Sequence, residues 1–200
     1  MKKLLSLIAL TMLLPLGGNA QKLKLTKGSL APLKGEKEVL LEFDYSSFGV
    51  GKFKNEADYK TKKVEEYNKK EPGKGDQWSE SWENDKKTRF PEKFIALYNK
   101  TTKGFTVSQS ATEAKYKMVV SLTFLEPGFN VGVSSKPASA NFTIRYYEVA
   151  DPEKVVAEIT VLNAPGATVG GMDFDTGLRI SECFAITAKR LAALTVKLAK

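Results

Sequence analysis

The chain has 200 residues, 31 of them Lys or Arg and 23 Asp or Glu, for a net charge of +8; it has no histidine and one cysteine. A hydrophobic share of 42% is ordinary for a folded chain of single-domain size and argues against disorder. The lack of histidine excludes Ser-His-Asp and Cys-His catalysis, His-based zinc sites and the facial triad of non-haem iron, and a lone cysteine excludes an intrachain disulfide and iron–sulfur ligation.

In chain order, residues 1–20 have the layout of a signal peptide. Lys2 and Lys3 form a basic start, Leu4 to Leu16 is apolar, and Gly18 and Ala20 are the small residues of a cleavage site before Gln21. The apolar run is shorter than the roughly 20 residues that span a bilayer, so no membrane span is expected. No cysteine stands at the cleavage site to carry a lipid. The expectation is a soluble protein, periplasmic or secreted. Without Lys2 and Lys3 the balance is 29 basic against 23 acidic residues, or +6. Lys60, Lys62 and Lys63 are followed by Glu65 and Glu66, and Lys69 and Lys70 by Glu71. Such interspersed charge suits a solvated helix face, so no nucleic-acid partner is expected.

Residues 21–37, with Gly28, Pro32 and Gly35, are expected to form an irregular amino-terminal arm; residues 38–200 are expected to form one α+β domain. Val39 to Tyr45 alternates cleanly, with Val39, Leu41, Phe43 and Tyr45 on one strand face and Leu40, Glu42 and Asp44 on the other. A loop from Ser46 to Lys54 leads to a helix capped by Asn55 and running to about Lys70. A second helical stretch carries Trp78 and Trp82, breaks near Arg89, and resumes with Pro91 in its first turn. Phe105 to Ser110 is a short strand with Phe105 and Val107 inward. Longer strands follow over Tyr116–Leu125, Ala140–Ala150 and Val155–Asn163. Asp151-Pro-Glu-Lys is expected to turn the last two into an antiparallel hairpin. Asp173 or Asp175 should cap a long carboxy-terminal helix, in which Ile180, Phe184, Ala188, Leu191, Leu194 and Leu198 share one face. The sum is an α+β fold: a mostly antiparallel five-stranded sheet packed by helices.

Several residues invite a chemical reading. Gly49-Val-Gly51-Lys52 lacks the spacing of a Walker phosphate loop and is taken as a plain loop. Asp173 and Asp175 have a spacing that calcium sites use, but helix capping needs only one of them and no further ligands follow. No metal or other cofactor is therefore expected. Cys183, beside Phe184 within the last helix, is expected to be buried and inert. Glu42 and Asp44 share a strand face and could pair for glycoside hydrolysis if an aromatic cleft, supplied by Tyr45, Trp78 and Trp82, lay beside them. Trp78 and Trp82 lie four apart among polar residues; they are either core anchors or an exposed pair for a sugar, peptide or partner. The stretch Glu126-Pro-Gly-Phe-Asn-Val-Gly-Val-Ser-Ser-Lys-Pro137 carries Phe129, Val131 and Val133 among glycines. It either extends a strand pair or forms a functional loop.

The run Glu126-Pro-Gly-Phe-Asn-Val-Gly, then Asn163-Ala-Pro-Gly, then Gly170-Gly-Met-Asp-Phe-Asp-Thr-Gly-Leu-Arg-Ile-Ser-Glu before an Ala-rich helix, resembles a family of secreted Bacteroidetes envelope proteins of unknown function. More loosely, the element order is similar to the amino-terminal domain of TolB and to the curli-secretion and penicillin-binding-protein-activator lipoproteins. The resemblance implies an envelope domain that binds or assembles, and it brings no catalytic residues. The sequence thus leads to a non-catalytic exported domain binding a protein partner or envelope component through Trp78, Trp82, Phe129, Val131 and Val133. A carboxylate-dependent glycan hydrolase and a small-ligand carrier are the alternatives.

Overall fold

The computed structural model describes residues 21–131, 133–167 and 175–199. The expected signal peptide, Gly132 and Asp173 lie outside these residues. The strands are β1 (Lys22–Gly28), β2 (Glu38–Asp44), β3 (Gly49–Val50), β4 (Thr106–Ser108), β5 (Tyr116–Glu126), β6 (Phe129–Asn130), β7 (Ser135–Lys136), β8 (Ser139–Glu148) and β9 (Asp151–Pro165). The helices are α1 (Glu56–Lys70), α2 (Lys74–Lys87), α3 (Arg89–Thr101) and α4 (Thr176–Leu198).

The fold is α+β with a long carboxy-terminal helix, but the sheet corrects the expectation of five mostly antiparallel strands. It has seven strands in the order β1-β9-β8-β5-β2-β4, with β3 beside β5, and it is mixed. The β1–β9, β9–β8 and β8–β5 pairs are antiparallel; β5–β2, β2–β4 and β3–β5 are parallel. The parallel half has a simple cause. The chain leaves β2, crosses the sheet through α1, α2 and α3, and returns to the same edge, so β4 and β5 run in the direction of β2.

The expected irregular arm is also corrected, because Lys22–Gly28 within it forms edge strand β1 on β9. Gln21, just before it, is tied to α4: its side-chain amide donates to Thr187 Oγ1 (3.2 Å) and its carbonyl accepts from Arg190 (3.2 Å). The β8–β9 turn falls at Val149-Ala150 instead of Asp151–Lys154, since Asp151 already pairs with Glu148.

Helix boundaries follow local chemistry. Asn55 Oδ1 accepts from the Asp58 amide (2.8 Å) and Asp175 Oδ1 from the Leu178 amide (2.7 Å), which satisfies orphan donors at both helix starts. Thr88 separates α2 from α3, with Pro91 in the first turn of α3 as its missing N–H requires. Val39, Leu41, Met118, Val120, Leu122, Phe142, Ile144, Ile159 and Val161 form the inner sheet face, all nearly or fully buried. The α3 and α4 helices cover it. Phe184 of α4 lies against Phe43, Tyr45, Phe90 and Phe142, with ring centroids 4.8–6.3 Å apart. Among the described residues no helix is long and apolar enough to cross a membrane.

Candidate functional site

The two tryptophans part company. Helices α1 and α2 form a tight pair because Gly75 lets them touch: a Cβ there would sit 2.3 Å from the Val64 carbonyl oxygen, and the Gly75 amide donates to Asn68 Oδ1 (2.7 Å). This clamp lays α2 along α1 and puts Trp82 over Tyr59. Trp82 is 4% exposed, and its indole N–H donates to Glu56, which also pairs with Lys86 (2.6 Å). Trp82 is therefore a core anchor, and its expected role as a partner contact is corrected. Burial of the ring against Tyr59 and Trp78, with its one polar atom satisfied, leaves nothing to present. Trp78, one turn earlier, is only half-buried. Its ring meets Tyr59, Tyr67 and Trp82, and with Tyr67, Lys74, Gln77 and Ser81 it lines an open cleft of about 200 Å³.

Phe129, Val131 and Val133 gather at the tip of a small hairpin. Strands β6 and β7 pair Phe129 with Lys136 and Asn130 with Ser135. Val131 and Val133 thus lie in the turn and do not extend the main sheet. Exposure rises toward the tip, from 38% at Phe129 to 60% at Val131 and 101% at Val133. The base is rigid. Gly128 has φ +66°, and a Cβ there would meet the Lys136 carbonyl oxygen at 2.3 Å. Glu126 accepts from the Gly128 amide (3.2 Å) and from Lys136 Nζ (2.6 Å). Arg179 of α4, 2% exposed, donates to the Pro127 carbonyl and to Thr176 Oγ1, both at 3.3 Å. Nothing in the sequence singled out Arg179; a charged residue one step off the apolar face of α4 was the only hint.

Glu42 and Asp44 fall on the outer sheet face. Glu42 pairs with Lys117 (3.2 Å). Burial pushes the Asp44 carboxyl upward, but hydrogen bonds from the Ser46 side chain and amide (2.9 Å for the amide) outweigh it and hold the group below its ordinary value. A glycosidase acid needs the opposite shift. The aromatics proposed to line the cleft are elsewhere. Tyr45 turns to the helical layer, where Lys86 lies 5.9 Å from its ring centroid, and Trp78 and Trp82 belong to that layer too. The sheet separates acids from aromatics, so the structure does not assemble the hydrolase site.

The remaining candidates are structural. Burial raises the Cys183 thiol to about 12, far from a reactive thiolate. Gly51, at φ +56°, donates its amide to the Leu125 carbonyl (2.8 Å), continuing the β3–β5 pairing, and the Phe53 amide closes the turn on the Val50 carbonyl (2.9 Å). Asp175 is the α4 cap and pairs with Arg89, which also bonds Asp85 (2.9 Å). Among the described residues no group of three His, Cys, Asp or Glu side chains is placed to hold a metal ion. Among the described residues, clefts of about 200, 150, 170 and 420 Å³ open on the surface.

Among the described residues the fold is a two-layer α+β body with a small apolar hairpin, and Val149, Val155 and Leu162 are also exposed on its sheet strands and their turn. No family model and no curated protein matches the chain. Among solved structures it is similar to the PelC dodecamer from Paraburkholderia phytofirmans, at 11% identity and TM-score 0.37 over 84% of this chain and 96% of that one. A point variant of that dodecamer gives 13% identity and TM-score 0.36 over 84% and 97%. Likeness at these scores assigns neither fold family nor activity.

Proposed function

We propose that the protein is an exported, periplasmic, non-catalytic domain that binds a protein partner or a component of the cell envelope, as the resemblance to the secreted Bacteroidetes and TolB-type domains implies. The observation that carries this is the β6–β7 hairpin, where Phe129, Val131 and Val133 stand in solvent on a braced support. Exposed apolar side chains cost solubility, and a cluster held out by a rigid base is a recognition feature more readily than a packing accident. The chain's chemistry agrees: histidine is absent from the sequence and the single thiol is sealed in the core. Trp78 and its cleft, on the α1–α2 pair, are a second contact of lower weight.

Retention from envelope extract tests this. Immobilised chain beginning at Gln21 should retain material that the Phe129→Asp variant, folded by circular dichroism, does not. Equal retention by both, or none by either, would remove the hairpin from the function.

A further inference from the structure

Resting on that reading, we infer that the hairpin's target is an anionic lipid surface, into whose headgroup region Val131 and Val133 insert. Three observations point there. First, the contact is small. A stable protein interface uses about 20–30 residues on each side. Here Val131 and Val133 stand at the turn with Phe129 beside them on β6, a shape that suits insertion better than lateral docking.

Second, two amides of the tip are already bonded within it. The Val131 amide donates to the Ser134 carbonyl and the Val133 amide to the Val131 carbonyl, both at 3.0 Å. Donors bonded within the turn lose little on entering a medium with few acceptors. The base carries hydrogen bonds from Gly128, Lys136 and Arg179, which lower the ordering cost of binding.

Third, the charge has the right sign and place. From Pro127 to Tyr147 the chain contains no Asp or Glu. Lys136 lies on the hairpin, 53% exposed despite its pair with Glu126. Lys52 and Lys63 line a cleft of about 170 Å³ together with Phe129 and Glu126, Lys63 also pairing with Glu66 (3.5 Å), and Lys54 is exposed in the adjoining turn. An apolar tip with lysines on its hairpin and beside its base joins apolar contact to attraction for anionic headgroups, the two-part signal that favours attachment to anionic bilayers.

Vesicle sedimentation of the chain beginning at Gln21, which contains every element of the sheet and its helices, tests the inference. Vesicles of phosphatidylcholine alone are compared with vesicles holding about one-quarter phosphatidylglycerol. Binding is expected on the anionic vesicles and to weaken with salt. Val131→Asp with Val133→Asp should lower partitioning about tenfold or more. Lys52→Glu with Lys54→Glu should lower it about fivefold per lysine on anionic vesicles only. Thermal melts confirm that the variants fold. No binding by the parent chain, equal binding to both vesicle types, or an unchanged valine variant would overturn the lipid assignment. If Phe129-dependent retention from extract survives removal of lipid by detergent, the target is a protein; the lipid assignment then fails while the hairpin contact stands. Loss of both signals removes the contact itself.

Discussion

The two faces of the central sheet are built by the same strands and are held by opposite means. On the inner face, Phe142, Ile144 and Ile159 are sealed under α3 and α4, with Phe184 at the centre of the aromatic contacts. On the outer face, alternate residues of the same strands form rows of polar pairs. Arg145 lies opposite Glu158 and bonds it at 2.8 Å, Glu158 also accepts from Thr26 of β1 (3.1 Å), and Ser121, Thr143 and Thr160 stand in register across β5, β8 and β9. Burial supplies most of the stability on one side; on the other, pairing chiefly fixes strand register and keeps the surface wet.

The comparison sets the scale of four expected effects. Phe184→Ala should be the most damaging, because the ring fills the junction of sheet, α3 and α4; a loss of about 3–5 kcal/mol in urea denaturation is expected. A loss below about 1 kcal/mol would mean that the inner face is not where the stability resides. Gly75→Ala comes next. The added methyl meets a backbone carbonyl, so α1 and α2 must separate, at about 1–3 kcal/mol with a matching fall in Tm and a change in tryptophan fluorescence from Trp78 and Trp82.

Glu158→Gln probes the outer face. The Arg145 hydrogen bond holds the Glu158 carboxyl below its ordinary value of 4.5. A carboxyl lowered on folding contributes stability above its unfolded value and loses that contribution as pH falls through its folded value. The variant should therefore be weaker by about 1 kcal/mol near neutrality and show a shallower loss below about pH 4.5. An unchanged acid limb would show that Glu158 is not the titrating group. The smallest effect is expected from Glu42→Gln, which removes one half-exposed pair with Lys117 and should cost about 0.5 kcal/mol or less. A larger loss would blur the distinction between the two faces.

Legibility in the sequence followed the range of the interactions. The alternation of Val39–Tyr45, the cap at Asn55 and the break before Pro91 depend on neighbours a few residues away and could be read; for α4 the sequence left the cap open between Asp173 and Asp175. The strand at Lys22–Gly28 could not. It offers only Leu23 and Leu25 to an apolar pattern, and its partner β9 lies more than a hundred residues downstream. The parallel pairing of β5 with β2 was hidden because direction is set by the path of three helices and leaves no mark in the strands. Trp78 and Trp82 share a helix face, and only the position of Tyr59 and Glu56 on the neighbouring helix buries one and leaves the other at the rim. The Phe129–Val133 segment was visible as an oddity, while the bracing by Arg179 was not.

The tie between Gln21 and α4 has a consequence for biogenesis. Thr187 lies 166 residues beyond the glutamine it holds, and β1 takes its place only on a strand that ends at Pro165. The amino-terminal edge thus cannot zip until nearly the whole polypeptide has left the ribosome. Such long-range closure makes for slow assembly, with the amino-terminal strand among the last parts of the sheet to be seated.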